Sequence, residues 1–268
     1  MSNDAFTRAY EALLACDPTT KAEAARQLHN DWQAGRCDVV ASTSAVAALA
    51  APGRPDRPEL VSPRAVARRQ VSTPEGRAVL IHSLAHIEFN AINLALDAVY
   101  RFRDLPRDYY GDWLKVAAEE AYHFTLLRAH LQTLGYDYGS FTAHNGLWEM
   151  AVKTAHDPLV RMALVPRVLE ARGLDVSPTL IQKLKSGGDA RAVEILEIIQ
   201  RDEIGHVAIG NRWYRYLCTQ RGLDPVATFK KLLQEHGAPQ LRPPFAEAAR
   251  RQAGFTDEEL RMLQDLAR

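Results

Sequence analysis

Net charge is the first thing this 268-residue chain lacks: 33 lysines and arginines balance 33 aspartates and glutamates, and the pI is near 7.1. Overall charge therefore supplies no pull toward nucleic acid or an anionic membrane. Cysteine is also scarce. Cys16, Cys37 and Cys218 are odd in number and far apart, which suits reduced thiols in a cytoplasm better than a disulfide framework. None sits at metal-ligand spacing. The opening "MSNDAFTRAYEALLACD" has no apolar h-region, and no unbroken apolar run approaches the ~20 residues of a membrane span. The expected location is cytoplasmic, with no membrane partner. Strand-like alternation is missing too, and so is any internal repeat beyond one short motif described below.

What is present is helical texture. Short amphipathic helices are predicted over roughly 4–15 and 18–34, the second opened by Asp17, Pro18 and Thr19. "ASTSAVAALAAPGRPDRPELVSP" (41–63) then reads as an extended surface linker, with Pro52, Pro55, Pro58 and Pro63 at its far end. Arg54, Arg57, Arg64, Arg68 and Arg69 read as a solvated face, because Asp56 and Glu59 interrupt them. From "STPEGRAVL" a helix-start signal leads into a 3.6-residue pattern that runs to about Phe102. Pro106 opens a second long helix that stops at Gly135. A third helical stretch, about 147–173, is kinked by Pro158 and Pro166, and a shorter helix follows "SPTL". Gly187 and Gly188 precede a fourth long helix, about 189–221. Helices near 30 residues are ~45 Å long and must lie side by side to bury their faces. The expected fold class is all-α: a four-helix bundle with extra helices at both ends. Its parts are an N-terminal helical extension with a Pro-rich linker (1–71), the bundle (72–235) and a C-terminal helical tail (236–268).

The motif is a glutamate followed three residues later by a histidine, in "EEAYH" (119–123) and again in "RDEIGH" (201–206). Residues i, i+3, i+4 and i+7 share a helix face. The neighbours of Glu88 on its face are Ile81, Leu84, Ala85, Ala91, Ile92 and Ala95; those of Glu120 include Trp113, Val116, Ala117 and Phe124; those of Glu203 include Leu196, Ile199 and Val207. These acids face a core. Glu170, flanked by Ala163, Pro166 and Leu174 but also by Arg167, does so less clearly. A bare carboxylate in a dry interior costs several kcal/mol or takes up a proton. Two divalent ions would balance four carboxylates, and His123 and His206 would add neutral ligands. One acid falls on each long helical stretch in the order Glu88, Glu120 with His123, Glu170, Glu203 with His206, which matches the general template of di-iron carboxylate bundles. A single such site is more often an acid paired with arginine or a hydrogen-bonded histidine. His82 and His86 lie off the Glu88 face and are read as structural or surface residues. Trp113, Tyr122, Trp148, Trp213 and Tyr214 are read as core packing.

The segments "HSLAHIEFNAI", "EEAYHFTLLRAHLQTLGYDYG", "LEARGLDVSP" and "RDEIGHVAIGNRW" together resemble the ferritin-like di-iron carboxylate superfamily, and most closely an uncharacterised bacterial ferritin-like family of unknown function. The likeness covers about 72–235. It implies a dimetal centre, iron first and manganese or zinc next, with Glu88, Glu120, His123, Glu170, Glu203 and His206 as ligands. A more distant likeness is to the tRNA hydroxylase MiaE family. The resemblance implies an O2-dependent oxidoreductase or hydroxylase; a ferroxidase or iron-handling protein and a non-catalytic metal-binding bundle are the alternatives. An oxygenase would need an electron donor and an organic substrate, either a small molecule or a tRNA-like one, and the appended helices suit a homodimer contact. Metal-bound histidines usually donate their second ring N–H to an acid or carbonyl. Asp202 is the expected partner of His123 and Glu119 that of His206, with Arg172 and Asp175 as weaker candidates for the same network. The other reading of both acids is a surface position, paired with arginines such as Arg128 or Arg201.

Overall fold

The computed structural model describes residues 3–40, 45–66, 70–236 and 241–267. Arg68 and Arg69 of the basic cluster lie outside the described residues, and so does the start of the 41–63 linker. The fold is all-α. Among the described residues only two isolated bridges, Asp4 to Asp38 and Leu60 to Ala143, interrupt helices and loops.

The helices are α1 (Ala5–Leu14), α2 (Pro18–Gln33), α3 (Pro74–Arg101), α4 (Arg107–Thr133), α5 (Gly146–Lys153), α6 (Pro158–Leu164), a π-helical turn (Val165–Glu170), α7 (Ala171–Ser186), α8 (Ala190–Gln220), α9 (Pro225–Glu235), α10 (Glu247–Gln252) and α11 (Asp257–Leu266). Start signals act as the sequence suggests. Asp17 accepts from Thr20 N–H with Pro18 in the first turn, and Thr73 Oγ1 accepts from Gly76 N–H ahead of Pro74. Two differences stand out. The predicted kinked helix over 147–173 is divided into α5, α6 and the π turn. The separate helix expected after "SPTL" is instead the continuation of α7, which runs through Gly173 and Pro178.

The chain forms two compact units, Met1–Val152 with Leu184–Ile195, and Lys153–Lys183 with Leu196–Arg268. In the first, α3 packs along α4, α2 rests on α4, and α1 rests on α3. Phe89 and Phe124, with ring centroids 5.5 Å apart, join the middle of α3 to α4. By length and composition α3 could cross a membrane, contrary to the expectation that no segment has that make-up. Most of that stretch is buried inside the protein, as in a core helix.

The Pro-rich segment is no free surface linker. Ala47 N–H donates to Tyr100 Oη (2.8 Å), Gly53 N–H to the Leu13 carbonyl (2.9 Å), Val61 N–H to the Ala143 carbonyl (2.8 Å), and Trp148 Nε1 to the Ala50 carbonyl (3.0 Å). It is an ordered strap tied to α1, α3 and the loop after α4. Arg54, Arg57 and Arg64 are exposed, as expected. Beside the strap, Lys21 is fully buried and donates from Nζ to the Ala12 and Leu13 carbonyls at the end of α1 (3.1 and 2.6 Å).

In the second unit α9 packs on α6 and α11 on α9. Two buried ion pairs tie the C-terminal helices to this unit. Arg167 pairs with Glu259 and lies over the rings of Tyr214 and Phe229, and Arg250 grips Asp175 (2.7 Å). Pro166 packs against Gly210 of α8 so closely that a Cβ at 210 would overlap the proline ring. Of the aromatics read as core, Trp113, Trp148, Trp213 and Tyr214 are buried, whereas Tyr122 is exposed. The three cysteines are free thiols, Cys16 exposed and the other two buried.

Candidate metal centre

Within the first unit, Glu88 on α3 and the Glu120–His123 pair on α4 meet in the interior. His123 Nδ1 lies 3.3 Å from Glu88 Oε2 and 3.4 Å from Glu120 Oε2, and Glu120 and His123 are fully buried. The i,i+3 spacing sets Glu120 and His123 on one face of α4. The Phe89–Phe124 contact, one residue along from Glu88 and His123, holds the two helices in that register.

Burial raises the Glu88 carboxyl well above the usual carboxylate range, and the neighbouring Glu120 charge raises it further, while His123 pulls it down. In the second unit the other motif repeats the geometry: His206 Nδ1 lies 3.4 Å from Glu203 Oε1, with His206 fully buried and the Glu203 side chain 12% exposed. Glu88, Glu120 and His123 each offer one ligand atom, and these atoms lie within 4.8 Å of one another. That group could hold a metal ion. Carboxylate oxygens with neutral imidazole suit manganese, iron and zinc alike.

The remaining sequence candidates fall as follows. Glu170 ends the π turn, half-buried. Arg167, which clouded the reading of Glu170, is engaged by Glu259. Asp202 accepts from Arg201 Nε (2.9 Å), and Glu119 lies 3.5 Å from Lys115 Nζ. Arg172 donates to the Arg242 carbonyl (2.7 Å), and Asp175 takes Arg250 and the Ala246 N–H (2.9 Å). His82 and His86 are structural and buried rather than at the surface. His82 Nε2 accepts from Gly139 N–H, and His86 binds Tyr138 and the His144 carbonyl.

Sequence reading missed a buried polar stripe on the other side of α3, His86, Asn90, Asn93 and Asp97. The signal was available, because these residues recur at i, i+4, i+7 and i+11 in a helix otherwise apolar. It also missed Lys21, which a local pattern cannot distinguish from a surface lysine.

Residues 14–261 match the family described as "Protein of unknown function (DUF455)". The chain belongs to this family. The family match reaches beyond the bundle motifs to take in α2 at one end and the first half of α11 at the other. A Haemophilus influenzae protein described as "Uncharacterized protein" is 53% identical over 213 residues, covering 77% of this chain and 74% of the relative. No solved structure matches.

Proposed function

We propose that this chain is a dimetal carboxylate protein, with iron the first candidate, that acts as an O2-dependent oxidoreductase on an organic substrate. The observation that carries the reading is the convergence of Glu88, Glu120 and His123 in a buried group of metal-ligand chemistry. Support comes from the second Glu-x-x-His pair, which has the same internal geometry. In this proposal Glu88, Glu120 and His123 hold one side of the centre, Glu203 and His206 the other, and Glu170 completes it.

Bound iron would supply one-electron chemistry toward oxygen. The residues of the chain do the rest. Burial favours the protonated form of Glu88, so a cation that binds there competes with a proton. His123 and His206 orient their Nδ1 atoms toward their glutamates. Asp202 and Glu119 are proposed to support the two imidazoles, alongside their bonds to Arg201 and Lys115.

The test is metal loading followed by oxygen exposure. The parent is expected to bind two ions per chain and to consume oxygen, and Glu120→Ala to lose at least one ion. Unchanged stoichiometry in Glu120→Ala would reject the ligand assignment. Metal binding without oxygen uptake would leave the structural-metal alternative. Assembly of a large iron-filled cage would favour storage.

A further inference from the structure

Arg167 and Glu170 lie three residues apart, and in an α-helix they would share a face and pair with each other. The chain takes a different course. Val165–Glu170 winds as a π turn, with Ala171 N–H bonding back to the Pro166 carbonyl, and the wider turn swings positions three apart away from each other. Arg167 is fully buried, and its Nη2 donates to Glu259 Oε1 of α11, 92 positions along the chain. Glu170 stays half-buried at the end of the turn.

Arg167 would take another acceptor if one came within reach. It lies among the rings of Tyr214, Phe229 and Phe255, 4.1, 4.0 and 5.0 Å from their centroids, and its Nε and Nη1 meet no acceptor among the described residues. A buried guanidinium stripped of its carboxylate is strongly unfavourable. Without Glu259, the one acid of its own turn, Glu170, becomes the partner within reach of a rewound α-helix. Two contacts hold the turn against that change. Glu259 is itself fixed, because its Oε2 accepts from Thr256 N–H (2.8 Å) in the capping box of α11 and from Arg215 Nη2 (3.1 Å). Pro166 presses on Gly210 of α8, which follows Glu203 and His206 on the same face of that helix, so the turn is docked beside the second Glu-x-x-His pair.

We propose that Glu259 and Arg167 are positioning residues for the metal centre: Glu259 occupies Arg167, so that the carboxylate of Glu170 stays available to a cation instead of being neutralised within its own turn. The C-terminal helix thereby decides whether Glu170 can serve as a ligand. This inference rests on Glu170 completing the centre, as proposed above.

The experiment is a titration of manganese(II) into the full chain without oxygen, read from the electron paramagnetic resonance of the free ion, with circular dichroism as the check of fold. The parent should bind two ions. Glu259→Gln removes the charge that holds Arg167 and should weaken one of the two by about tenfold or more, while the other binds as in the parent. Adding Arg167→Met to Glu259→Gln takes away the competitor for Glu170 and should restore the weakened ion to the parent's affinity; an ion pair that only stabilises the fold predicts no such rescue. Glu259→Asp, which leaves a carboxylate in the core but shortens its reach, replaces Glu259→Gln if that variant folds poorly, with the same loss and the same rescue expected. Two ions bound equally tightly by the parent and by the Glu259 variant would overturn the clamp and leave the dimetal reading standing. A double variant as weak as the single one would overturn it too. A parent that binds fewer than two ions would remove Glu170 as a ligand, and the clamp with it.

Discussion

Lys21 offers a prediction whose size follows from its surroundings. Its ammonium is buried under the strap, and burial lowers its pKa from 10.5 to about 7. As a neutral amine it still has two N–H donors, one for each of the Ala12 and Leu13 carbonyls. Between pH 7 and 10.5 the unfolded chain holds this proton and the folded chain releases it, so stability must rise with pH across that window. A shift of 3.5 units corresponds to about 5 kcal/mol in total, at no more than about 1.4 kcal/mol per pH unit. Lys21→Met removes the titration and also two hydrogen bonds of about 1 kcal/mol each. The decisive reading is therefore the pH slope rather than the offset. Urea unfolding of parent and variant at pH 7, 8, 9 and 10 isolates it, because other titrating groups cancel in the difference. The parent should gain a few kcal/mol on Lys21→Met over this range. Parallel pH profiles would refute a buried lysine that gives up its proton.

Three further outcomes follow from other parts of the fold. His82, whose pKa burial lowers from 6.5 to about 4, takes its proton first in the unfolded chain, so about 3 kcal/mol of stability should be lost as pH falls from 6.5 to 4. His82→Gln should flatten that acid limb in thermal unfolding, and an unchanged limb would count against it. Gly210→Ala drives a methyl into Pro166 and should cost about 1–3 kcal/mol, whereas Gly173→Ala, with nothing within 4 Å, should be neutral or stabilising by up to about 1 kcal/mol. Denaturant titration of the two variants checks the contrast, and equal effects would contradict the close contact. Asp202→Ala should weaken metal binding about 10- to 100-fold while the far-UV circular dichroism stays that of the parent. A metal titration that overlays the parent's would remove Asp202 from the support of His123.

The all-α class and the bounds of α3, α4 and α8 were legible because their ends carry strong local chemistry, such as Thr73 before Pro74 and Gly187–Gly188 before α8. The course of α7 was not. Gly173 and Pro178 both argue for a break, yet burial of Leu174 and Leu184 along the same helix outweighs the donor that Pro178 lacks. The strap was misread because backbone bonds such as Gly53 to Leu13 leave no periodic trace in the side chains. The burial of Glu88 and Glu120 could be read from their apolar faces, whereas Arg250–Asp175 and Arg167–Glu259 join residues 75 and 92 positions apart, with nothing local to announce them.

The central claim is that buried carboxylates and imidazoles in this chain hold metal. The most direct measurement is metal analysis of anaerobically purified protein together with anomalous diffraction at the metal edges. The account predicts two ions per chain, ~3.5–4 Å apart, with one bound by Glu88, Glu120 and His123. A centre that stays metal-free under saturating iron, manganese or zinc would contradict it.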